Sequence, residues 1–239
     1  MTCLDLTLPT PEENLALDEA LLEGDQSGGW QGTLRFWESP RPFVVIGYAG
    51  KVSGEVNVTA CRKLGVPILR RCSGGGTVLQ GPGCLNYALI LPLEQAGPLS
   101  TITSTNRFVM ERHRDLIGSL LGRPVTIEGV TDLVVAGRKF SGNAQRRRQD
   151  RILFHGTFLL DFDLERMETL LLLPSRRPEY RGSRTHADFL VRLALIPEEV
   201  KRGLREVWGA QEAHCALPSG SVARLVETRY GTEEWNWKR

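Results

Sequence analysis

Residues 70–87 read RRCSGGGTVLQGPGCLNY: two arginines end an apolar run, a serine and three glycines follow, and apolar residues resume at once. Few folds accommodate this. Without Cβ atoms the chain can bend sharply, or another group can approach the peptide planes. Neither common nucleotide motif is present, because no lysine follows the glycines and TVLQ opens a strand rather than a helix. Two readings stay open at this point. One is a bulge beside a solvated arginine pair; the other is a run of N–H groups that receives a phosphate or carboxylate. Arg70 and Arg71 alternate along a strand, so only one of them can face such an anion.

Any anion site must be local, since 30 Lys+Arg against 28 Asp+Glu leave a net charge of only +2. That balance argues against nucleic acid and a membrane surface as partners. The cysteines at positions 3, 61, 72, 84 and 215 are odd in number and form no CxxC pair, so they read as reduced thiols with no metal site. The N-terminal stretch lacks a basic region with an unbroken apolar run, and nothing approaches the ~18 apolar residues of a membrane span. A cytoplasmic protein is expected. With 239 residues, 41% of them hydrophobic, and no repeat, linker or composition shift, the chain is expected to form one domain over 1–239.

Helices and strands alternate along it. Thr10, Pro11 and Glu13 carry a capping box and open a helix through NLALDEALL that stops near Gly24. TLRFWES and PFVVIGYAG read as neighbouring strands, NVTACRKLG as a short helix, and PILRRCS and LNYALILPL as the strands that bracket the glycines. A helix is expected from about Thr105 to Leu121. TDLVVAGRKFSGNAQ reads as a hairpin turning at Ala136 and Gly137, followed by the strand RILFHGTFLLDF. The helices LERMETLLLL and EEVKRGLREVW close the helical content, the second with Val200, Leu204 and Trp208 on one face. Hairpins mixed with helices favour α+β over a doubly wound parallel sheet.

Within that hairpin Lys139 and Ser141 share a face, while Arg138 and Phe140 take the other. A lysine turned inward is costly unless it meets an anion; a lysine on an exposed edge strand is commonplace.

These two stretches carry a resemblance. RRCSGGGTVLQGPGCLNY is similar to the RRxSGGGxV signature of the lipoate-protein ligase family. GVTDLVVAGRKFSGNAQ and HGTFLL resemble its xxDLVVxGxKxSGxAQ and HGTLL segments. NLALDEALL, FVVIGYAG and YGTEEWNW also fit, so the likeness spans nearly the whole chain. A biotin-type GRGRxGR loop is absent.

The resemblance implies the α+β mixed sheet of biotin and lipoate ligases, flanked by helices and forming an acyl tunnel. It implies activation of lipoate or octanoate with ATP and Mg2+, then transfer of the acyl group to a lysine of an apo lipoyl domain, in a 2-oxoacid dehydrogenase complex or the glycine cleavage H protein. It puts Arg70, Gly75, Gly76, Thr77 and Val78 at the adenylate, Lys139 at the catalytic centre touching acyl carbonyl and phosphate, and Ser73, Gly74, Ser141, Gly142, His155 and Gly156 along the tunnel. An ammonium there would stabilise charge developing during attack.

Two rivals accompany it. Octanoyltransferases of the superfamily share these motifs but pass the acyl group from a carrier protein through a cysteine thioester. In one branch that cysteine precedes the lysine hairpin, where PVTIEGVTDL has none; in the other it follows, where only Cys215 occurs. A non-catalytic module holding lipoate or a lipoyl domain could dispense with Lys139, which this chain retains. The sequence departs from longer ligases in stopping at Arg239 without a C-terminal accessory domain, which implies either a separate accessory subunit or a chain that works alone with a different closure, and in carrying Thr131 where an asparagine often precedes the aspartate. QRRRQDR at 145–151 reads as a solvated loop tip; PEYRGSRTHADFL at 178–190 resembles a family segment of unassigned role; His155 and His186 read as hydrogen-bonded structural residues.

Overall fold

The helix expected after Thr10 forms as α1 (Pro11–Glu23), with both halves of the capping box made and the Gly24 N–H closing the last turn on Ala20. Its leucines and alanines are buried against strands on either side of the glycine run. The computed structural model describes residues 1–24, 30–174, 177–212 and 216–238.

Eleven strands are found among the described residues. In chain order they are β1 (Thr2–Asp5), β2 (Thr33–Trp37), β3 (Phe43–Ile46), β4 (Ile68–Arg70), β5 (Val78–Gln80), β6 (Cys84–Pro92), β7 (Thr126–Glu128), β8 (Asp132–Val135), β9 (Arg138–Arg148), β10 (Arg151–Leu159) and β11 (Gln211–Glu212). Eight make a mixed sheet in the order β11-β1-β2-β6-β10-β9-β8-β7, and three make a small sheet, β4-β3-β5. The strands read as neighbours, TLRFWES and PFVVIGYAG, part company here. β2 pairs with β1 and β6, while β3 pairs with β4 and β5. The turn at Pro40 and Pro42 carries the chain from one sheet to the other, so proximity in sequence does not become pairing.

The helices are α2 (Val52–Glu55), α3 (Val58–Lys63), α4 (Ile102–Leu121), α5 (Glu165–Leu170), α6 (His186–Phe189), α7 (Pro197–Trp208), α8 (Ser219–Leu225) and α9 (Glu233–Asn236). α4 begins earlier than the sequence suggested, because Thr101 and Ser104 cap it reciprocally. α8, α9 and a π-helical turn at Val226–Tyr230 extend the helical content beyond α7, a correction to the reading that ended there. α4 and α7 cover one face of the large sheet, where Val109, Met110, Ile117, Val200 and Leu204 meet Phe36, Leu89, Phe140, Phe154 and Phe158. α1 and α8 pack with Ala88, Ile90 and Leu153, the alternate residues of the same strands. No described helix is long and apolar enough to cross a membrane.

Candidate active site

Between the small sheet, the outer part of the large sheet and the α5–α6 region lies a cavity of about 610 Å3. Two walls carry the motifs. One is the loop from Ser73 to Thr77, with β5 beyond it; the other is the hairpin β8–β9, whose turn at Ala136 and Gly137 forms as expected.

The glycine loop rests on close backbone contact. Gly75 has φ +91°, and a Cβ on Gly47 would stand 1.9 Å from the Gly75 carbonyl oxygen. Arg71 braces the loop from beneath: its guanidinium donates to the carbonyls of Gly74 (2.6 Å) and Gly76 (2.8 Å) and to Ser73 Oγ (3.2 Å). Burial pulls the Arg71 pKa down to about 10, which still leaves the side chain charged near neutral pH. Glu55 of α2 accepts from the Thr77 N–H and hydroxyl, at 3.1 and 2.5 Å.

The strand parity that admits only one of the two arginines to the cavity resolves in favour of Arg71. Arg70, expected at the adenylate, does not line the cavity. It is fully buried, donating to the carbonyls of Gly47, Tyr48 and Gly50 and of Trp235, Asn236 and Lys238, so it ties the C-terminal segment to the turn after β3. Trp235 Nε1 donates back to the Arg70 carbonyl at 2.8 Å.

Across the cavity, β9 carries an extra residue at Phe140: Val134 pairs with Lys139 and Leu133 with Ser141. The bulge buries Phe140 in the core under α4 while Lys139 and Ser141 both line the cavity. Lys139 Nζ lies 2.8 Å from Asp132 Oδ1, and the Tyr180 hydroxyl donates to Asp132 Oδ2 at 2.7 Å. A Cβ on Gly142 would stand 3.0 Å from Lys139 Nζ, so the glycine leaves the ammonium its room. Thr131 clamps Asn143 both ways, its hydroxyl donating to the Asn143 carbonyl and its carbonyl accepting from Asn143 Nδ2. Asn143 Oδ1 then accepts from the buried Tyr87 hydroxyl.

Of the residues named from the sequence, Gly75, Gly76, Thr77, Val78, Lys139, Ser141, Gly142, His155 and Gly156 line the cavity together. Ser73 and Gly74, also expected along the tunnel, do not line the cavity. Ser73 Oγ is 2.5 Å from His155 Nε2, and His155 Nδ1 faces Asp18 at 3.7 Å. Asp18 is in turn paired with the buried Arg35. Arg35 and His155 hold the Asp18 carboxyl below its usual range although burial opposes them.

Sequence reasoning passed over Glu55, Asp132 and Tyr180, whose importance comes from partners distant in the chain. It also left 178–190 without a role, and this segment walls the cavity. Arg184 donates to the Gly137 carbonyl, Arg138 to that of Ala187, and the Val191 N–H to that of Lys139. The arginines of 145–151, read as a solvated tip, are structural ties: Arg146 donates to the Cys72 carbonyl and Arg147 to Leu99, Ser100 and Thr105.

A large mixed sheet flanked by helices, with a small sheet that brings the glycine loop opposite Lys139, is the fold of the catalytic domains of lipoate and biotin ligases. The chain belongs to the lipoyl protein ligase A/B catalytic domain family, whose family model matches residues 10–202. Octanoyltransferase LipM of Halalkalibacterium halodurans is 30% identical over 264 residues, covering 96% of this chain and 95% of that protein. A crystal structure of lipoate-protein ligase A bound with ATP superposes with a TM-score of 0.81 at 26% identity, over 99% of each chain. A bi-partite lipoate protein ligase of Thermoplasma acidophilum, described with its E2 lipoyl domain, gives 0.82 at 25% identity over 99% of this chain and 96% of that one. Its relatives include both octanoyltransferases and lipoate ligases, and the chain is an enzyme of that family.

Proposed function

We propose that the protein is an ATP-dependent lipoate-protein ligase. It converts lipoate and ATP to lipoyl-AMP and pyrophosphate, then passes the acyl group to a lysine of an apo lipoyl domain, with release of AMP. One observation carries this reading: among the described residues no thiol lines the cavity in which Lys139 and the glycine loop converge. The four described cysteines, Cys3, Cys61, Cys72 and Cys84, are all buried. Burial pushes Cys72 up to about 12 and raises Cys84 further, so neither offers a thiolate near neutral pH. Cys215 lies outside the described residues. Among the described residues a thioester route therefore has no nucleophile in this cavity, whereas an acyl-adenylate needs none.

In this reading the loop presents backbone N–H groups to the phosphate, and the Lys139 ammonium meets the oxygens on which charge develops. It acts first as the carboxylate displaces pyrophosphate, and again as the acceptor amine attacks the acyl carbonyl. The catalytic residue is Lys139; Gly75, Gly76, Thr77 and Val78 hold the adenylate. Ser141, Gly142, His155 and Gly156 line the path of the acyl chain. Mg2+ would arrive on the nucleotide, whose phosphates supply most of its ligands. No cluster of three acidic, histidine or cysteine side chains among the described residues forms a dedicated metal site.

The octanoyltransferase reading is favoured by the near full-length likeness to LipM. One comparison separates the two: an apo lipoyl domain offered with ATP, Mg2+ and lipoate in one arm, and with octanoyl carrier protein and no nucleotide in the other. A ligase labels the domain in the first arm alone; labelling in the second alone overturns the proposal. If neither arm labels, an accessory subunit of the bi-partite kind is added to the first.

A further inference from the structure

We infer that Tyr180 is a positioning residue for Lys139, acting through Asp132 to set how much of the lysine's charge is left for the substrate. The inference rests on the reading of Lys139 as the catalytic cation and adds to it a control point in the segment 178–190.

The chain of contacts is continuous. Lys139 Nζ and Asp132 Oδ1 are 2.8 Å apart, with 23% and 16% of their side chains exposed, so solvent screens the pair only in part. An ammonium neutralised by a carboxylate at that distance has little field to spare for a substrate oxygen. The Tyr180 hydroxyl donates to the other carboxylate oxygen at 2.7 Å, drawing charge away from the lysine. Tyr180 can only donate in this role. Burial and the charge of Asp132 raise its pKa well above the usual tyrosine range, so the phenol keeps its proton wherever the enzyme works.

The placement is fixed by backbone as well. Residues 178–190 hold the hairpin at three points: the Gly137 carbonyl accepts from Arg184, the Ala187 carbonyl accepts from Arg138, and Lys139 bridges to Leu190 in parallel register. The Tyr180 ring lies 5.3 Å from that of Phe189, which is buried in the core beneath the small sheet. A tyrosine held this way keeps its hydroxyl on Asp132 without help from solvent. Other charges surround the group. Glu128 of β7 and Arg184 act on Tyr180, while Arg181 and His186 line the same wall and Glu55 and Arg71 the opposite one. Asp132 alone among the described residues forms an ion pair with Lys139.

The two links act in series, which a merely structural role would not produce. Tyr180→Phe leaves the whole carboxylate charge on the lysine, so the ammonium serves the substrate less well. Asp132→Asn removes the anion through which Tyr180 acts, so losing the tyrosine hydroxyl as well changes nothing further.

The test is a double-mutant cycle on acyl transfer, by whichever donor the wild type accepts, in wild type, Tyr180→Phe, Asp132→Asn and the double variant. The expected result is a turnover lowered about 3-fold or more in Tyr180→Phe with the KM of the acyl substrate unchanged, and no further loss when Tyr180→Phe is added to Asp132→Asn. An equal loss from Tyr180→Phe in both backgrounds, or a raised KM in place of the lowered turnover, overturns the inference. The cycle can be read with either donor, so a wild type that uses octanoyl carrier protein instead of ATP would defeat the ligase reading and leave this result intact.

Discussion

The two walls of the cavity are built on opposite plans. The glycine loop is held by charge placed under its own backbone: Arg71 on two carbonyls, Glu55 on the Thr77 N–H, and Gly47 in contact beneath Gly75. The lysine hairpin is held by a ladder, by a bulge that buries Phe140, and by a segment some fifty residues further along. One wall therefore presents peptide groups in a fixed curve and tolerates no added atom. The other presents one ammonium, paired with Asp132, which Tyr180 holds from the neighbouring segment. The proposed ligase reaction, which binds an adenylate and also stabilises changing charge, uses both, and substitutions in the two walls should fail in different ways.

The largest difference is expected at Lys139. Lys139→Ala removes the charge and leaves the ladder, so turnover should drop by about 10²–10³-fold with Tm nearly unchanged. A variant that melts early would place Lys139 among the structural residues instead. In the loop wall, Gly47→Ala inserts a Cβ 1.9 Å from a backbone oxygen that no rotamer change can relieve. It should cost about 1–3 kcal/mol in unfolding free energy and raise the nucleotide KM together with it, measurable by denaturant titration and kinetics. Stability and binding that separate here would break the idea that the loop's curve is what binds.

A smaller effect tests whether acid stability belongs to either wall. His113 sits behind the hairpin, edge-on to Tyr87 and accepting from Trp208 Nε1 at 3.0 Å. Burial pulls its pKa from 6.5 down to about 3, so it folds as the neutral ring. Its contribution is complete above pH 6.5 and is lost as pH falls toward 3, because the unfolded chain takes up the proton first. The slope is about 1.4 kcal/mol per pH unit within that window. In His113→Gln that slope should vanish from the stability curve, while turnover at neutral pH is unchanged.

Local chemistry was readable in the sequence. The Thr10–Glu13 box, the strand after the glycines and the hairpin turn at Ala136 and Gly137 depend on residues a few positions apart, and each formed as expected. Partner choice was not readable. β2 and β3 lie in different sheets, and Arg70 turned away from the cavity because Trp235, Asn236 and Lys238 dock on it from the far end of the chain. Strand parity gave one inward arginine but could not say which, since that depends on a contact spanning 166 residues. Thr131 had no role until the fold brought its hydroxyl and carbonyl to Asn143. The short C-terminal helices escaped notice because four to seven residues carry too little apolar periodicity to read.

The proposed ligase forms its adenylate in a cavity that no described cysteine lines. Pyrophosphate exchange into ATP measures that step directly, before any acceptor is present. The expected result is lipoate-dependent exchange by the wild type, together with an accessory subunit where one is needed, and its loss in Lys139→Ala. Absence of exchange, with a covalent acyl-cysteine forming on the chain from octanoyl carrier protein, would contradict it.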